Sequence, residues 1–252
     1  MSEPTIVVER RFRGPDMGGG TGNGGYFCGL VAVAAGAGTR SVEIRRASGV
    51  PLDRPLTVRT VPDGAEVHDE EGLVARTTRE EIAVTVPAPP PLDVARRISA
   101  RFLDQLASGA LVHQFPECFV CGHRREPGDG LRLFTGSLDG GLGGKPGTRV
   151  GAWRPAVGFL DGAAGLRPEF VWSALDCPGG WAIAGPANTG TLQVEILGPV
   201  DGRQDLIVMG WPMPAASARS GSRRRYAGTA MFDARGGLLA RGAAIWVAPR
   251  AA

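Results

Sequence analysis

Four groups of residues in this chain are of types that could do chemistry. The first is Asp176, a carboxylate inside the apolar run Trp172-Ser173-Ala174-Leu175-Asp176-Cys177. Burial would raise its pKa toward a range in which a carboxylate can take a proton near neutral pH. The same residue could instead be a structural acid bonded to backbone near Pro178-Gly179-Gly180. The second group is Gly22-Asn23-Gly24-Gly25-Tyr26. Asn23 is a suitable N-cap residue. The first turn of a helix holds N–H groups without internal partners, at the positive end of the helix dipole. Glycines there admit close approach to that backbone, either by a ligand or by a packing neighbour.

The third group is sulfur. Cys118-Phe119-Val120-Cys121-Gly122-His123 is half of a zinc site by spacing. His113 is the one nearby candidate for the other half, and Cys28 and Cys177 fall in two predicted helices. With no second ligand pair in view, the expectation is a packed loop and no metal. Cys177 as a nucleophile would want a histidine base, and none lies close in sequence. The fourth group is Arg223-Arg224-Arg225, at a predicted strand start. Alternation places Arg223 and Arg225 on one face, where they could bind phosphates or simply be solvated.

The elements that must position these groups come in two similar series. Gly24-Gly25-Tyr26, an apolar stretch, Ser41-Val42-Glu43-Ile44 and Gly72-Leu73-Val74-Ala75-Arg76 follow one another in the first half. Phe170–Ala184, Gln193-Val194-Glu195-Ile196 and Gly237-Leu238-Leu239-Ala240-Arg241 repeat that order in the second. A repeat of roughly 120 residues is too long for a solenoid and reads as a fused, asymmetric pair. In the first unit the pattern predicts a strand at Thr5–Phe12, a Gly-rich loop at Gly14–Gly22 and a buried helix from Asn23 to Ala37. Strands at Ser41–Arg46, Leu56–Val61, Ala65–His68 and Leu73–Val86 follow, with a turn at Pro62-Asp63-Gly64. Pro87–Pro91 is a stiff linker. Leu92, Ala95, Ile98, Phe102 and Leu106 recur at helical spacing and predict a connecting helix. A loop is expected at Cys118–Gly130 and a hairpin or loop at Gly136–Gly147. The second unit should supply strands at Leu131–Thr135 and Arg149–Trp153 and a helix at Glu169–Ile183. Its remaining strands are expected at Leu192–Leu197, Leu206–Trp211, Arg224–Phe232 and Leu238–Val247. The divisions are residues 1–86, a linker and helix at 87–117, and residues 118–252.

Composition narrows the class. Of 252 residues, 43% are hydrophobic and 21% charged, the balance of a soluble globular protein. The net charge is only +3 and the basic residues do not form a stripe with aromatics, so nucleic acid is not an expected partner. Met1-Ser2-Glu3-Pro4 has no signal-peptide character, and Tyr26–Ala37 is too short to span a membrane. Four cysteines do not make a disulfide framework, and a cytoplasmic location is expected.

With a long central helix and a surrounding antiparallel sheet, present twice, the pattern resembles the hot-dog fold, an α+β class in which each sheet wraps a helix and two units pack as a pseudo-dimer. Gly22-Asn23-Gly24-Gly25-Tyr26 resembles the start of the central helix in hot-dog thioesterases. Trp172–Cys177 resembles the middle of that helix in the phenylacetyl-CoA-type members, which carry a carboxylate there. Gly236–Val247 resembles their closing strands. Aligning the two helices sets Gly24-Gly25 opposite Pro168-Glu169 and Asp176 opposite Ala32. In dimers of this kind one subunit supplies the helix start and the other the acid, so this chain would keep one composite site and lack its twin. The resemblance implies hydrolysis of an acyl-CoA or acyl-carrier-protein thioester. Gly25 and Tyr26 would donate N–H groups to the oxyanion, and Asn23 would orient the loop, thioester or water. Asp176 would act as general base or nucleophile. Gly24, Trp172, Arg223 and Arg225 are the substrate-binding candidates, and no cofactor or metal is implied. A non-catalytic acyl-thioester-binding protein and an enzyme adding a nucleophile to an unsaturated thioester remain open. A hydratase is disfavoured, because His68, His113 and His123 do not follow an Asp in the required motif. A homodimer of such double chains is a further expectation.

Overall fold

The computed structural model describes residues 3–15, 20–36, 38, 41–78, 83–139, 147–183, 185–214 and 222–249. Its frame is one antiparallel sheet of eleven strands. The strands are β1 (Thr5–Val7), β2 (Ser41–Ile44), β3 (Pro55–Val61), β4 (Gly64–Asp69), β5 (Gly72–Thr77), β6 (Gly136–Ser137), β7 (Arg149–Trp153), β8 (Asn188–Ile196), β9 (Leu206–Met213), β10 (Arg224–Phe232) and β11 (Leu238–Val247). They lie in the order β1-β3-β4-β5-β2-β8-β11-β10-β9-β7-β6. The halves of the chain meet where β2 pairs with β8, in the register Ser41↔Gln193, Val42↔Leu192 and Glu43↔Thr191.

Helix α1 (Gly24–Ala35) is apolar all round and is covered by β2, β3, β4, β5 and β8. It begins at the Asn23 cap and ends at Gly36, whose φ of 95° stops the helix where other residues would be strained. Helix α2 (Leu92–Ala107) is amphipathic instead: Ala95, Ile98 and Phe102 are buried. It covers the opposite face of the sheet, against β6, β7 and β9. That double coverage explains the unbroken apolar run of β9. Leu206 and Val208 face the main core, whereas Ile207, Met209 and Trp211 join Ala95 and Ile98 under α2.

The helix expected at Glu169–Ile183 is broken into α3 (Pro168–Ala174) and α4 (Cys177–Ala182). Pro178 explains the break, since it has no N–H to donate to Ala174 and its ring clashes with that carbonyl. The strand expected at Thr5–Phe12 is shorter, with a 3₁₀ turn at Arg10–Phe12. Leu131–Thr135 lies outside the sheet, with Arg132 in the left-handed region at a φ of 51°; Leu131 and Leu133 donate instead to the Phe119 and Val120 carbonyls. The strand expected to run to Val86 ends at Thr77, with residues 79–82 outside the described residues. Residues 16–19, 37 and 140–146 of the expected loop, helix end and hairpin also lie outside them. Among the described residues no helix is long and apolar enough to cross a membrane.

Candidate active site at the helix start

Helices α1 and α3 pack side by side and antiparallel. A Cβ placed on Gly25 would lie 2.4 Å from Asp176 Cβ and 3.1 Å from Ser173 Cα; one on Gly29 would lie 2.7 Å from Glu169 Cα. Two glycines one turn apart therefore set how closely the helices approach.

The close approach brings Asp176 to the start of α1. Because the helix breaks at Leu175, the carboxylate leaves its own helix without capping α4. Its Oδ2 accepts from Gly25 N–H at 2.9 Å, and its Oδ1 accepts from Thr189 Oγ1 on β8 at 2.8 Å. Asp176 is only 2% exposed, so desolvation dominates and pushes its carboxyl up to about 7. The hydrogen bonds from Thr189 and Gly25 act the other way. Asn23 is fully buried, and its Oδ1 caps α1 by accepting from Tyr26 N–H at 2.9 Å.

The two N–H groups expected to receive an oxyanion are thus engaged, Gly25 with Asp176 and Tyr26 with Asn23. Tyr26 contributes its backbone only. Its ring stacks on Phe12, with centroids 3.9 Å apart, and burial raises its phenol. Trp172 is buried beside Gly29 and lines neither cavity described below. Arg223 lies just before β10, and its Nη1 donates to Ala248 O at 2.8 Å. Arg225 is paired in register with Trp246 across β10 and β11. Its Nη1 lies 4.0 Å from the Cβ position of Gly185, at the edge of the second cavity.

The first cavity, of about 330 Å³, is lined by Gly24, Asp176, Thr189, Asn188 and the Gly20–Gly22 segment. The second, of about 380 Å³, is lined largely by apolar groups, including Leu111, Phe115, Trp181 and Ile183. Pro15, Cys177 and Trp246 line both, so the two are neighbours. The chamber over the buried carboxylate, whose lining includes Asp176, Thr189 and Asn188, and the larger one adjoining it can hold the two ends of an acyl compound. Thr189 was not foreseen; a threonine in a strand carries no functional signal.

The sulfur groups also converge. The Cys118, Cys121 and Cys177 sulfurs all lie within 4.8 Å of one another. Hydrogen bonds from the other two thiols favour a thiolate at Cys118, and the same contacts together with burial raise Cys177. His113 is not positioned as a fourth ligand. Its Nε2 donates to Cys121 O at 2.9 Å and its Nδ1 accepts from Phe115 N–H at 3.0 Å. Burial lowers its pKa to about 4 and keeps the ring neutral.

No protein-family model matches the chain, and no curated protein matches it in sequence. Solved structures do match along nearly its whole length. A protein assigned as a thioesterase from Novosphingobium aromaticivorans superposes with a TM-score of 0.58 at 17% identity, covering 99% of this chain and 96% of its own. A conserved protein of unknown function with a hot-dog fold from Alicyclobacillus acidocaldarius gives 0.56 at 14%, covering 99% and 94%. The tesB protein of Mycobacterium avium subs. paratuberculosis gives 0.52 at 13%, covering 91% and 88%. The chain has the hot-dog fold.

Proposed function

We propose that the chain is a thioester hydrolase of the hot-dog type, acting on an acyl-CoA or acyl-carrier-protein at a single composite site. In this reading residues 1–86 and 118–252 are two hot-dog units fused as a pseudo-dimer, with 87–117 as linker and connecting helix. The observation that carries the proposal is the 2.9 Å bond from Gly25 N–H, at the helix start of the first half, to the buried carboxylate of Asp176 in the second. The reciprocal position holds Ala32, which has no acid to offer.

The acyl chain occupies the apolar cavity and the thioester carbonyl sits over the start of α1. Asp176 Oδ2 then releases Gly25 N–H, which passes to the carbonyl oxygen and stabilises the charge that grows there as the bond forms. Asp176, still held by Thr189, takes a proton from the attacking water. The tetrahedral intermediate collapses, the C–S bond breaks, and Asp176 returns the proton to the departing sulfur, so that a thiol and a carboxylic acid leave. Asn23 fixes the loop through its cap.

The test is release of free thiol from a panel of acyl-CoAs and acylated carrier proteins. Asp176→Asn should lower kcat by roughly a hundredfold or more, as expected on removing a general base. Glu169→Gln, at the corresponding point of the other helix, should leave the rate nearly unchanged. Normal hydrolysis by Asp176→Asn would remove the composite site. No hydrolysis by the unaltered protein across the panel would favour an acyl-thioester-binding role.

A further inference from the structure

We infer that Cys118, Cys121 and Cys177 form a three-sulfur site for a soft divalent cation, with zinc the expected ion. Cys118 and Cys121 come from one loop and Cys177 from the first position of α4, so the site joins segments 56 residues apart in sequence (177 − 121). Cys118 Sγ and Cys177 Sγ are 3.7 Å apart. Three thiolates bound to zinc at about 2.3 Å with tetrahedral angles stand about 3.8 Å from one another, so the Cys118–Cys177 pair already has the required spacing and Cys121, within 4.8 Å of both, closes in by at most about 1 Å.

The loop is held in this shape independently of any ion. Gly122 N–H donates to Cys118 O, Phe119 N–H to Arg13 O, and His113 Nε2 to Cys121 O. A donor also faces the sulfurs: Asn23 Nδ2 lies 3.9 Å from Cys118 Sγ. Such N–H groups around ligating sulfurs orient them and stabilise the thiolate form. Sulfur ligands of this kind select zinc or copper(I) over hard cations.

Both nitrogens of His113 are engaged, so the cluster among the described residues offers three ligands. The fourth position faces the cavities, because Cys121 lines the apolar one and Cys177 lines both. An ion can reach the site by that route, and a water or a ligand sulfur could complete its shell.

The decisive measurement is elemental analysis of the full chain purified under reducing conditions without chelator or metal-affinity resin. It should be joined to a Co²⁺ titration of the reduced, metal-stripped protein in the absence of oxygen. The site predicts about one zinc per chain and a thiolate-to-cobalt charge-transfer band saturating at about one equivalent. Cys118→Ser, Cys121→Ser and Cys177→Ser should each abolish stoichiometric binding, whereas Cys28→Ser should retain it. Reduced wild-type protein that carries no zinc and gives no such band overturns the site, whatever the variants do. So does a band that survives in all three serine variants. A Cys118–Cys177 disulfide in the purified protein overturns it if reduction does not restore Co²⁺ binding.

Discussion

Replacing Gly25 by alanine separates a glycine that serves packing from one that serves chemistry. The new Cβ would stand 2.4 Å from Asp176 Cβ, 3.1 Å from Asp176 Cγ and 3.1 Å from Ser173 Cα. Carbon atoms in contact prefer about 3.5–4.0 Å, so the two helices must separate by roughly 1 Å at this point. Overpacking of this kind costs about 1–3 kcal/mol, offset by up to about 1 kcal/mol from alanine's better helix propensity. A net loss of about 1–2 kcal/mol in urea unfolding is expected. Gly29→Ala is the matched control on the same face one turn away. Its Cβ would meet Glu169 Cα at 2.7 Å and Trp172 Cβ at 2.9 Å, without touching Asp176. The two variants should therefore lose similar stability. They should differ in activity, because displacing a catalytic group by about 1 Å costs on the order of a hundredfold. Thiol release from a good acyl-CoA substrate should fall by about that factor in Gly25→Ala and stay within severalfold in Gly29→Ala. Equal losses in the two variants, at equal loss of stability, would show that Gly25 serves packing alone and would refute the reasoning.

Two further outcomes follow from the carboxylate. With Asp176 raised to about 7, kcat/KM should climb with pH through that value and level off above it, as the base loses its proton. Stability runs the other way: the carboxyl stays protonated in the fold up to about pH 7 but ionises near 4 when unfolded, so about 4 kcal/mol is lost between pH 4 and 7, and Asp176→Asn should remove that slope in urea titrations across the range. Thr189→Val keeps the shape of β8 but deletes the 2.8 Å donor to Asp176 Oδ1. Losing one hydrogen bond to a charged group should move the midpoint of the pH–rate profile up by about one unit, and an unmoved midpoint would exclude Thr189 from the site.

How far the sequence carried depends on which force shaped each element. β10 and β11 match the expected Arg224–Phe232 and Leu238–Val247 because strands of that length, buried along most of their course, state their pattern locally. Helix α2 was legible from its stripe of Ala95, Ile98 and Phe102. Leu131–Thr135 has the composition of a strand, but its bonding partners lie in the cysteine loop, a tertiary choice that no local pattern carries. The break at Leu175 was signalled by Pro178, yet the apolar run around it looked continuous.

The same break decides the site. In an unbroken helix, the backbone around Asp176 would be committed to the helical ladder and its side chain confined to helical rotamers. Breaking the helix lets the carboxylate reach Gly25 and Thr189, and it starts α4 at Cys177, so the thiol points toward Cys118 and Cys121. One proline therefore serves two clusters that the sequence shows only as neighbouring letters. Restoring helical continuity with Pro178→Ala tests this dependence. It should lengthen α3 into α4, weaken hydrolysis through Asp176 and reduce Co²⁺ affinity at the sulfurs in the same variant. A variant that alters neither property would show that packing against β9 and β10, rather than the proline, holds the break in place.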